Sequence, residues 1–254
     1  AQILYIIYLA LFALFAFLYF LAGMPLFDSI VIAMGTAGTG GFTVFNDGIA
    51  HYNSSLITYL VSFGVLTFGV NFNLYYYLLI RRFHDEELKG YLWIVLTATI
   101  LISFNVLHIY GEFAKSLEIS FFQVSNIITT TGFSYGDTVQ WPLFSQIILL
   151  LLMCLGGSAG STAGGFKVIR AIIIGRIAKN QILSTLSPNR VLTMHINGAV
   201  LDKDTQHKVL KYLAVYILII AALIFIISLD NNNLMTVTSA VISCFNNIGP
   251  MIGT

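Results

Sequence analysis

The sequence Phe121-Phe-Gln-Val-Ser-Asn-Ile-Ile-Thr-Thr-Thr-Gly-Phe-Ser134 joins a mixed apolar stretch to a tract of small residues around one glycine. The same plan recurs in Asp28-Ser-Ile-Val-Ile-Ala-Met-Gly-Thr-Ala-Gly-Thr-Gly-Gly-Phe-Thr43 and in Met235-Thr-Val-Thr-Ser-Ala-Val-Ile-Ser-Cys-Phe-Asn-Asn-Ile-Gly-Pro250. Each copy follows a long hydrophobic stretch. The repetition predicts three short helices that each end in a glycine-centred loop, here called the glycine loops.

The composition places these segments in a membrane. The 254 residues are 57% hydrophobic and only 9% charged, whereas about 25% of the residues in a soluble domain are charged. The sequence therefore predicts an integral membrane protein. Its net charge of +1 gives no indication of nucleic-acid binding. Cys154 and Cys244 lie in apolar runs and are interpreted as packing residues, and no covalent cofactor is expected.

The lengths of the apolar stretches predict an all-α fold. Stretches of about 20 residues are long enough to cross a bilayer, and those of about 10–14 residues suit re-entrant segments. Spans are expected at roughly 2–22, 56–80, 91–111, 142–156 with an interrupted continuation, and 208–229, and short helices at roughly 26–36, 118–128 and 233–245. The order of span, short helix, loop and span occurs twice and begins a third time, which indicates an internal repeat.

The charges predict the orientation in the membrane. All of the Lys and Arg residues except Lys115 fall in the connections between repeats, and the positive-inside rule makes those connections cytoplasmic. The glycine loops would then open to the outside. Acidic residues predicted on that side are Asp28, Asp47, Glu112, Glu118, Asp137 and Asp230. Together they would concentrate cations in an outer vestibule; alternatively, they only end helices and solvate loops.

The glycine loops are candidates for a cation filter. Backbone carbonyls can replace the water shell of a dehydrated cation when a narrow tract turns them inward, and glycine permits the backbone angles that this requires. The candidate filter residues are Thr39, Gly40, Gly41, Thr130, Thr131, Gly132, Asn247, Ile248 and Gly249. The adjacent Gly40 and Gly41 leave the register of the first loop open. A different interpretation is that the loops only pack helices together.

Residues 156–165 contain five glycines and should interrupt the fourth span, because each interior glycine costs about 1 kcal/mol of helix stability relative to alanine. The helix is expected to resume near Phe166 and to run to about Ser184. A phosphate-binding loop is disfavoured by the absence of a Gly-Lys-Ser/Thr sequence, while a small-residue packing face remains an alternative. Lys167 and Arg170 follow this segment. Either could repel cations at the inner mouth or pair with a carboxylate; alternatively, both side chains only reach toward the cytoplasmic interface.

These residues resemble the Trk/Ktr potassium transporter superfamily, and most closely its TrkH-type membrane subunits. The resemblance is carried by Thr129-Thr-Thr-Gly-Phe-Ser134, by Gly156-Gly-Ser-Ala-Gly-Ser-Thr-Ala-Gly-Gly-Phe-Lys-Val-Ile-Arg170 and by Phe245-Asn-Asn-Ile-Gly-Pro250. Gly40-Gly-Phe-Thr43 and Gly69-Val-Asn-Phe-Asn-Leu74 resemble another repeat of that family.

The resemblance implies helix–pore loop–helix units around a pseudo-fourfold ion pore in a bacterial cell membrane, with K⁺, and possibly Na⁺, as the permeant ion. It implies a second repeat at 1–80, a third at 81–186, a cytoplasmic connector at 187–207 and a partial fourth repeat at 208–254, without the first repeat and the closing helix. The expected partners are membrane lipid, a second copy and a cytoplasmic nucleotide-binding ring of the TrkA/KtrA type.

The resemblance also implies residue roles. It makes Gly41, Gly132 and Gly249 the selectivity glycines, and it makes the 156–165 segment an intramembrane gate beneath the filter. The residues expected to form that gate are Gly156, Gly157, Gly160, Ser161, Gly164, Gly165 and Lys167. Scattered histidines and nearly charge-free spans argue against an enzyme, and a non-transporting membrane scaffold is the alternative from another class of protein.

Overall fold

The computed structural model of the protein describes residues 2–79, 85–136, 138, 140–186, 193–230 and 233–250. Within these ranges the chain forms ten α-helices, two short 3-10 helices and one β-hairpin. The α-helices are α1 (Gln2–Leu21), α2 (Leu26–Ala37), α3 (Ser55–Phe68), α4 (Phe72–Leu79), α5 (Glu86–Tyr110), α6 (Phe113–Ile128), α7 (Leu143–Leu155), α8 (Val168–Leu186), α9 (Lys203–Ile227) and α10 (Leu234–Phe245). Several residues of the predicted outer and cytoplasmic faces lie outside the described residues, namely Asp137, Arg81, Arg82 and Arg190.

The three short helices are α2, α6 and α10, and each ends within one residue of the expected position. Helix α6 begins five residues earlier than expected, at Phe113. Gly111, with φ of +74°, ends α5, and one residue later the chain turns directly into α6. The turn is so short because a glycine in the left-handed region can end one helix in a single residue.

Three helical segments are long and apolar enough to cross a membrane within the described ranges: Gln2–Leu21, Glu86–Tyr110 and Lys203–Asp230. Helices α5 and α9 each begin five residues before the expected span. Aspartates explain both early starts, because Asp85 accepts a hydrogen bond from the Glu87 amide at 2.7 Å and Asp202 accepts one from the Thr205 amide at 3.3 Å. Such N-caps extend a helix into a charged turn that hydropathy does not detect.

The span expected at 56–80 is not continuous, so that prediction was wrong. Helix α3 ends at Phe68 and α4 begins at Phe72. The side chain of Asn71 accepts a hydrogen bond from the Asn73 amide at 3.0 Å, which caps α4. Gly69 has no room for a side chain, because a Cβ atom there would lie 2.6 Å from both the Thr129 methyl group and the Tyr91 hydroxyl. The break therefore lies against α5 and the second glycine loop.

The expected interruption of the next span is confirmed, since α7 ends at Leu155 and α8 begins at Val168. The chain closes on itself at the base of the intervening segment. The amides of Phe166 and Lys167 donate to the carbonyls of Cys154 and Leu155, at 3.1 and 2.7 Å. These bonds satisfy carbonyls that the end of α7 leaves unpaired. Residues 156–165 thus form a closed excursion, here called the interrupting loop.

The apolar core joins the repeats to one another. One cluster contains Phe15, Val61 and Phe68 from α1 and α3, together with Phe122 and Phe133 from α6 and its loop. A larger cluster joins α5, α6, α7, α9 and α10. The outer faces of α1 and α9 carry exposed aliphatic and aromatic side chains, as expected where lipid replaces water as the surrounding medium.

The predicted connector at 187–207 contains a hairpin that the sequence analysis did not anticipate. Strands β1 (His195–Ile196) and β2 (Ala199–Val200) pair antiparallel around Asn197 and Gly198, which have φ of +50° and +80°. Asn-Gly is the strongest short signal for this type of turn. The hairpin region packs through Met194 on Ile173 of α8 and Val209 of α9.

Candidate functional site

The three glycine loops share one backbone motif. The second residue beyond each helix is left-handed, with φ of +49° at Thr39, +55° at Thr130 and +60° at Asn247. The next amide returns to a carbonyl in the last helical turn, in the bonds Gly40 N–Gly35 O (2.8 Å), Thr131 N–Asn126 O (2.9 Å) and Ile248 N–Ser243 O (2.9 Å). This is the Schellman arrangement, in which glycine usually occupies the left-handed position. Here two threonines and an asparagine occupy it.

The shared motif settles the register of the first loop. In every copy a glycine with positive φ follows two residues after the left-handed residue, at +66° for Gly41, +77° for Gly132 and +99° for Gly249. Gly40 occupies the place of Thr131 and Ile248. Gly41, rather than Gly40, is therefore the equivalent of Gly132 and Gly249.

The first glycine loop packs on the second, and the second packs on the third. A Cβ atom on Gly41 would overlap the carbonyl oxygen of Thr131, and one on Gly132 would overlap the carbonyl oxygen of Ile248. A Cβ atom on Gly249 would meet nothing within 4 Å. Each of the first two glycines is thus required both by its backbone conformation and by the carbonyl of the next loop.

A cavity of about 410 Å³ lies among the three loops and is bounded by loop residues only. Its lining residues are Gly38, Thr39, Gly40, Gly41, Phe42, Gly132, Ser134, Asn247, Ile248, Gly249 and Pro250. Seven of the nine predicted filter residues are among them. The other two, Thr130 and Thr131, are buried beside the cavity. A space lined by loop backbone suits a small ion better than an apolar ligand.

Two of the predicted vestibule acids have structural roles. Asp28 is 5% exposed and accepts a hydrogen bond from the Tyr52 hydroxyl at 2.7 Å. Glu118 is 4% exposed and accepts from the Ser55 hydroxyl at 2.7 Å and from the Lys115 ammonium at 3.0 Å. Both side chains are therefore buried and hydrogen-bonded to other parts of the fold, rather than exposed to solvent. Asp47, Glu112 and Asp230 are exposed.

The interrupting loop has a neck made of two glycines. Gly156 and Gly165 have φ of +74° and +79°. A Cβ atom on Gly165 would lie 2.6 Å from the Cα atom of Gly156, and one on Gly156 would overlap the carbonyl oxygen of Gly164. The backbone at Gly156 and the backbone at Gly165 therefore lie too close together for either residue to carry a side chain.

The body of the loop docks on the break between α3 and α4. The Ser158 amide donates to the carbonyl of Gly69 at 3.0 Å. In return, the Phe72 amide donates to the carbonyl of Gly160 at 3.1 Å. The Ser161 hydroxyl donates to the Ser158 carbonyl at 2.6 Å, which closes a turn within the loop. Each of the two helix interruptions thus satisfies backbone groups that the other exposes.

The far side of the loop contacts all three glycine loops. The Thr39 hydroxyl donates to the Thr162 carbonyl at 3.1 Å, and the Gly164 amide donates to the Thr130 hydroxyl at 2.6 Å. Gly164 also lies against the carbonyl of Asn246, which a Cβ atom at this position would overlap. The interrupting loop therefore lies directly against the ends of the glycine loops.

Lys167 and Arg170 both have defined partners, and each side chain donates to a backbone carbonyl four residues earlier. Lys167 has φ of +83°, which is unusual for a residue with a side chain, and its ammonium donates to the carbonyl of Ala163. The Arg170 guanidinium donates to the carbonyl of Phe166 at 3.0 Å and lies 4.1 Å from the centre of the Tyr212 ring. Lys167 therefore closes the end of the interrupting loop, while Arg170 ties α8 to α9.

Glu87 is a site residue that the sequence analysis missed. It stands in the charged sequence Asp85-Glu-Glu-Leu-Lys89, yet it is only 4% exposed. Its carboxylate accepts hydrogen bonds from the Ala159 amide at 2.7 Å and from the Ile169 amide at 3.1 Å. Nothing in the local sequence distinguishes Glu87 from Glu86, because its burial depends on a loop about 70 residues away.

Comparison with known proteins confirms the resemblance to TrkH-type membrane subunits. The model of the family "TrkH: Cation transport protein" matches residues 91–254. The chain is 31% identical over 241 residues to the Trk system potassium uptake protein TrkG of Escherichia coli K12, covering 91% of this chain and 49% of that protein. It is 28% identical over 262 residues to TrkH of Salmonella typhimurium LT2, covering 100% of this chain and 54% of that protein.

The crystal structure of the potassium transporter TrkH from Vibrio parahaemolyticus superposes with a TM-score of 0.93 at 27% identity, covering 99% of this chain and 56% of that one. The chain spans about half the length of the curated relatives that it matches. It is an integral membrane protein of the bacterial cell membrane, and its relatives are transporters rather than enzymes. The family match covers more than half of the sequence, and the chain belongs to the TrkH family of cation transport proteins.

Proposed function

We propose that this chain supplies part of the ion pathway of a potassium uptake protein. The observation that carries the proposal is the equivalence of the three glycine loops, which share one cap geometry and enclose one cavity. Relatives that align along nearly the whole chain are named as potassium uptake proteins. Na⁺ is a second candidate for the permeant ion.

In this proposal the backbone carbonyls of the glycine loops are the cation ligands. The residues concerned are Thr39, Gly40, Gly41, Thr130, Thr131, Gly132, Asn247, Ile248 and Gly249. Each short helix directs its C-terminal end, and with it a partial negative charge, toward the loops. The open side of Gly249 is where a further loop of the same kind would pack if the units follow one another around a pseudo-fourfold axis.

The interrupting loop is the gate of this pathway in the same proposal. It lies against the ends of all three glycine loops, and the gating residues are Gly156, Gly157, Gly160, Ser161, Gly164, Gly165 and Lys167. Only three hydrogen bonds among the described residues tie the loop to the region of the break between α3 and α4, and so small a number can be exchanged during an opening movement.

The assembly in this proposal includes lipid, a second copy of the protein and a cytoplasmic nucleotide-binding ring. The exposed apolar faces of α1 and α9 suit contact with lipid. Basic residues of α8 (Arg170, Arg176 and Lys179) and of the start of α9 (Lys203, Lys208 and Lys211) fall in the region that the positive-inside rule assigns to the cytoplasm. This is the side on which a soluble regulator would bind.

The loops predict only moderate discrimination of K⁺ from Na⁺. Thr43, Ser134 and Met251 stand two residues after the three filter glycines, where the Gly-Tyr-Gly filters of tetrameric K⁺ channels have their second glycine. Fewer inward carbonyls provide fewer binding sites. Reversal potentials in mixed K⁺ and Na⁺ solutions should show measurable Na⁺ permeation, and strict exclusion of Na⁺ would contradict this prediction.

Rubidium uptake by a bacterium that lacks its own K⁺ uptake systems tests the proposal itself. The intact protein should restore growth at low K⁺ and take up Rb⁺ in a saturable manner. A non-transporting membrane scaffold would reach the membrane in equal amount and restore neither. Such a result, with the protein present and folded, would contradict the proposed function.

A further inference from the structure

Glu87 is the one acidic side chain among the described residues whose carboxylate is hydrogen-bonded to the interrupting loop. It lies in the first turn of α5, on a different element from the loop itself. Its carboxylate oxygen Oε1 accepts from the Ala159 amide at 2.7 Å and from the Ile169 amide at 3.1 Å. One buried oxygen thus joins the tip of the loop to the first turn of α8.

Both hydrogen bonds to the Glu87 carboxylate are of a kind stronger than the average in proteins. Hydrogen bonds from amides to an ionised carboxylate are shorter and stronger than those between neutral groups. The Ile169 amide also belongs to the N-terminal turn of a 19-residue helix, where unpaired amides and the helix dipole favour a negative charge. Glu87 is therefore satisfied only while the loop tip and the start of α8 stay where they are.

The other contacts of the loop tip are weaker or neutral. Apart from the Glu87 carboxylate, the partners of 158–162 are backbone carbonyls and amides of the α3–α4 break and the hydroxyl groups of threonines and serines. Moving the loop would deprive the buried Glu87 carboxylate of the Ala159 amide, the nearer of its two hydrogen-bond donors, which costs more than loss of a neutral bond. Glu87 thus opposes displacement more strongly than any neutral contact.

We propose that Glu87 is a positioning residue that holds the interrupting loop in its docked, non-conducting position. This inference rests on the proposed role of the loop as a gate. The neighbouring Glu86 has different partners: its carboxylate pairs with Arg176 at 2.7 Å, and its amide donates to the Asn197 side chain at 2.8 Å. Glu86 is therefore a matched control that lies in the same helical turn.

The first test is basal cation flux in the intact protein. Glu87→Ala should raise Rb⁺ flux in the absence of any regulator on the order of tenfold, because hydrogen bonds to charged groups are among the stronger ones in proteins. Glu87→Gln retains a neutral acceptor and should give a smaller rise. Glu86→Gln should leave basal flux unchanged. Unchanged or reduced flux in a folded Glu87→Ala protein would overturn the proposal.

The second test does not depend on transport. With Cys154 and Cys244 replaced by serine, Ser161→Cys provides a single thiol on the loop. Its rate of modification by a polar thiol reagent in detergent solution should rise at least about threefold when Glu87→Gln is added, since the loop would leave its docked position more often. An equal rate with and without Glu87→Gln would overturn the proposal.

The two readouts separate this inference from the proposed function. If no variant transports Rb⁺ but thiol modification still depends on Glu87, the docking role stands and the transport proposal fails. If the protein transports Rb⁺ and neither flux nor modification responds to Glu87, the positioning role fails alone.

Discussion

Replacement of Gly132 by alanine is expected to reduce cation uptake at least tenfold while the protein still reaches the membrane. The new methyl group would overlap the carbonyl oxygen of Ile248 in the next glycine loop. It would also occupy a position with φ of +77°, where a side chain costs about 1–2 kcal/mol. The backbone strain alone is modest, so the overlap is expected to displace the third loop. Initial rates of Rb⁺ uptake, normalised to protein in the membrane, measure the effect.

Gly136→Ala is the matched control for this variant. Gly136 has a similar φ of +66°, but a Cβ atom there would meet nothing within 4 Å. It carries the same backbone cost without contact with another loop. Uptake should stay close to that of the unmodified protein. Equal uptake by Gly132→Ala and Gly136→Ala would contradict the view that tight packing between the glycine loops shapes the ion pathway.

Deletion of residues 158–163 is expected to raise cation flux severalfold. The deletion removes the amide of Ser158, the carbonyl of Gly160 and the hydroxyl of Thr162, which together attach the loop to the break between α3 and α4. It also removes the Ala159 amide that Glu87 holds. The neck at Gly156 and Gly165 remains and can close the shortened chain. Flux of Rb⁺ in the absence of a regulator is the measurement.

A double variant shows where the additional flux passes. Adding Gly132→Ala to the deletion should abolish the increase, because ions released at the gate must still cross the glycine loops. An increase that persists in the double variant would indicate a leak elsewhere. Unchanged or abolished flux in the correctly folded deletion variant would contradict the assignment of this loop as a gate.

Local sequence signals predicted much of this fold. The ends of α2, α6 and α10 were predicted within one residue, because each apolar stretch gives way to small or polar residues near a glycine, and such residues favour helix ends over helix interiors. The interruption between α7 and α8 was predicted from five glycines in ten residues. In both cases the information lies in residues next to one another in the chain.

Features that depend on distant contacts were not predicted. The break between α3 and α4 is stabilised by bonds from the interrupting loop about 90 residues later. Its local signal, Gly69 followed by Asn71, is weak inside an apolar stretch. Burial of Glu87 and the choice of Gly41 over Gly40 likewise depend on other loops. The candidate site could be located from sequence, whereas its internal contacts required the folded structure.

Anomalous scattering from crystals of the intact protein grown with Rb⁺ would locate the ion in the pathway. A peak is expected in the cavity among the glycine loops, coordinated by backbone carbonyls from residues 39–41, 130–132 and 247–249. Peaks found only outside this cavity, or an empty cavity at Rb⁺ concentrations that saturate uptake, would contradict this expectation.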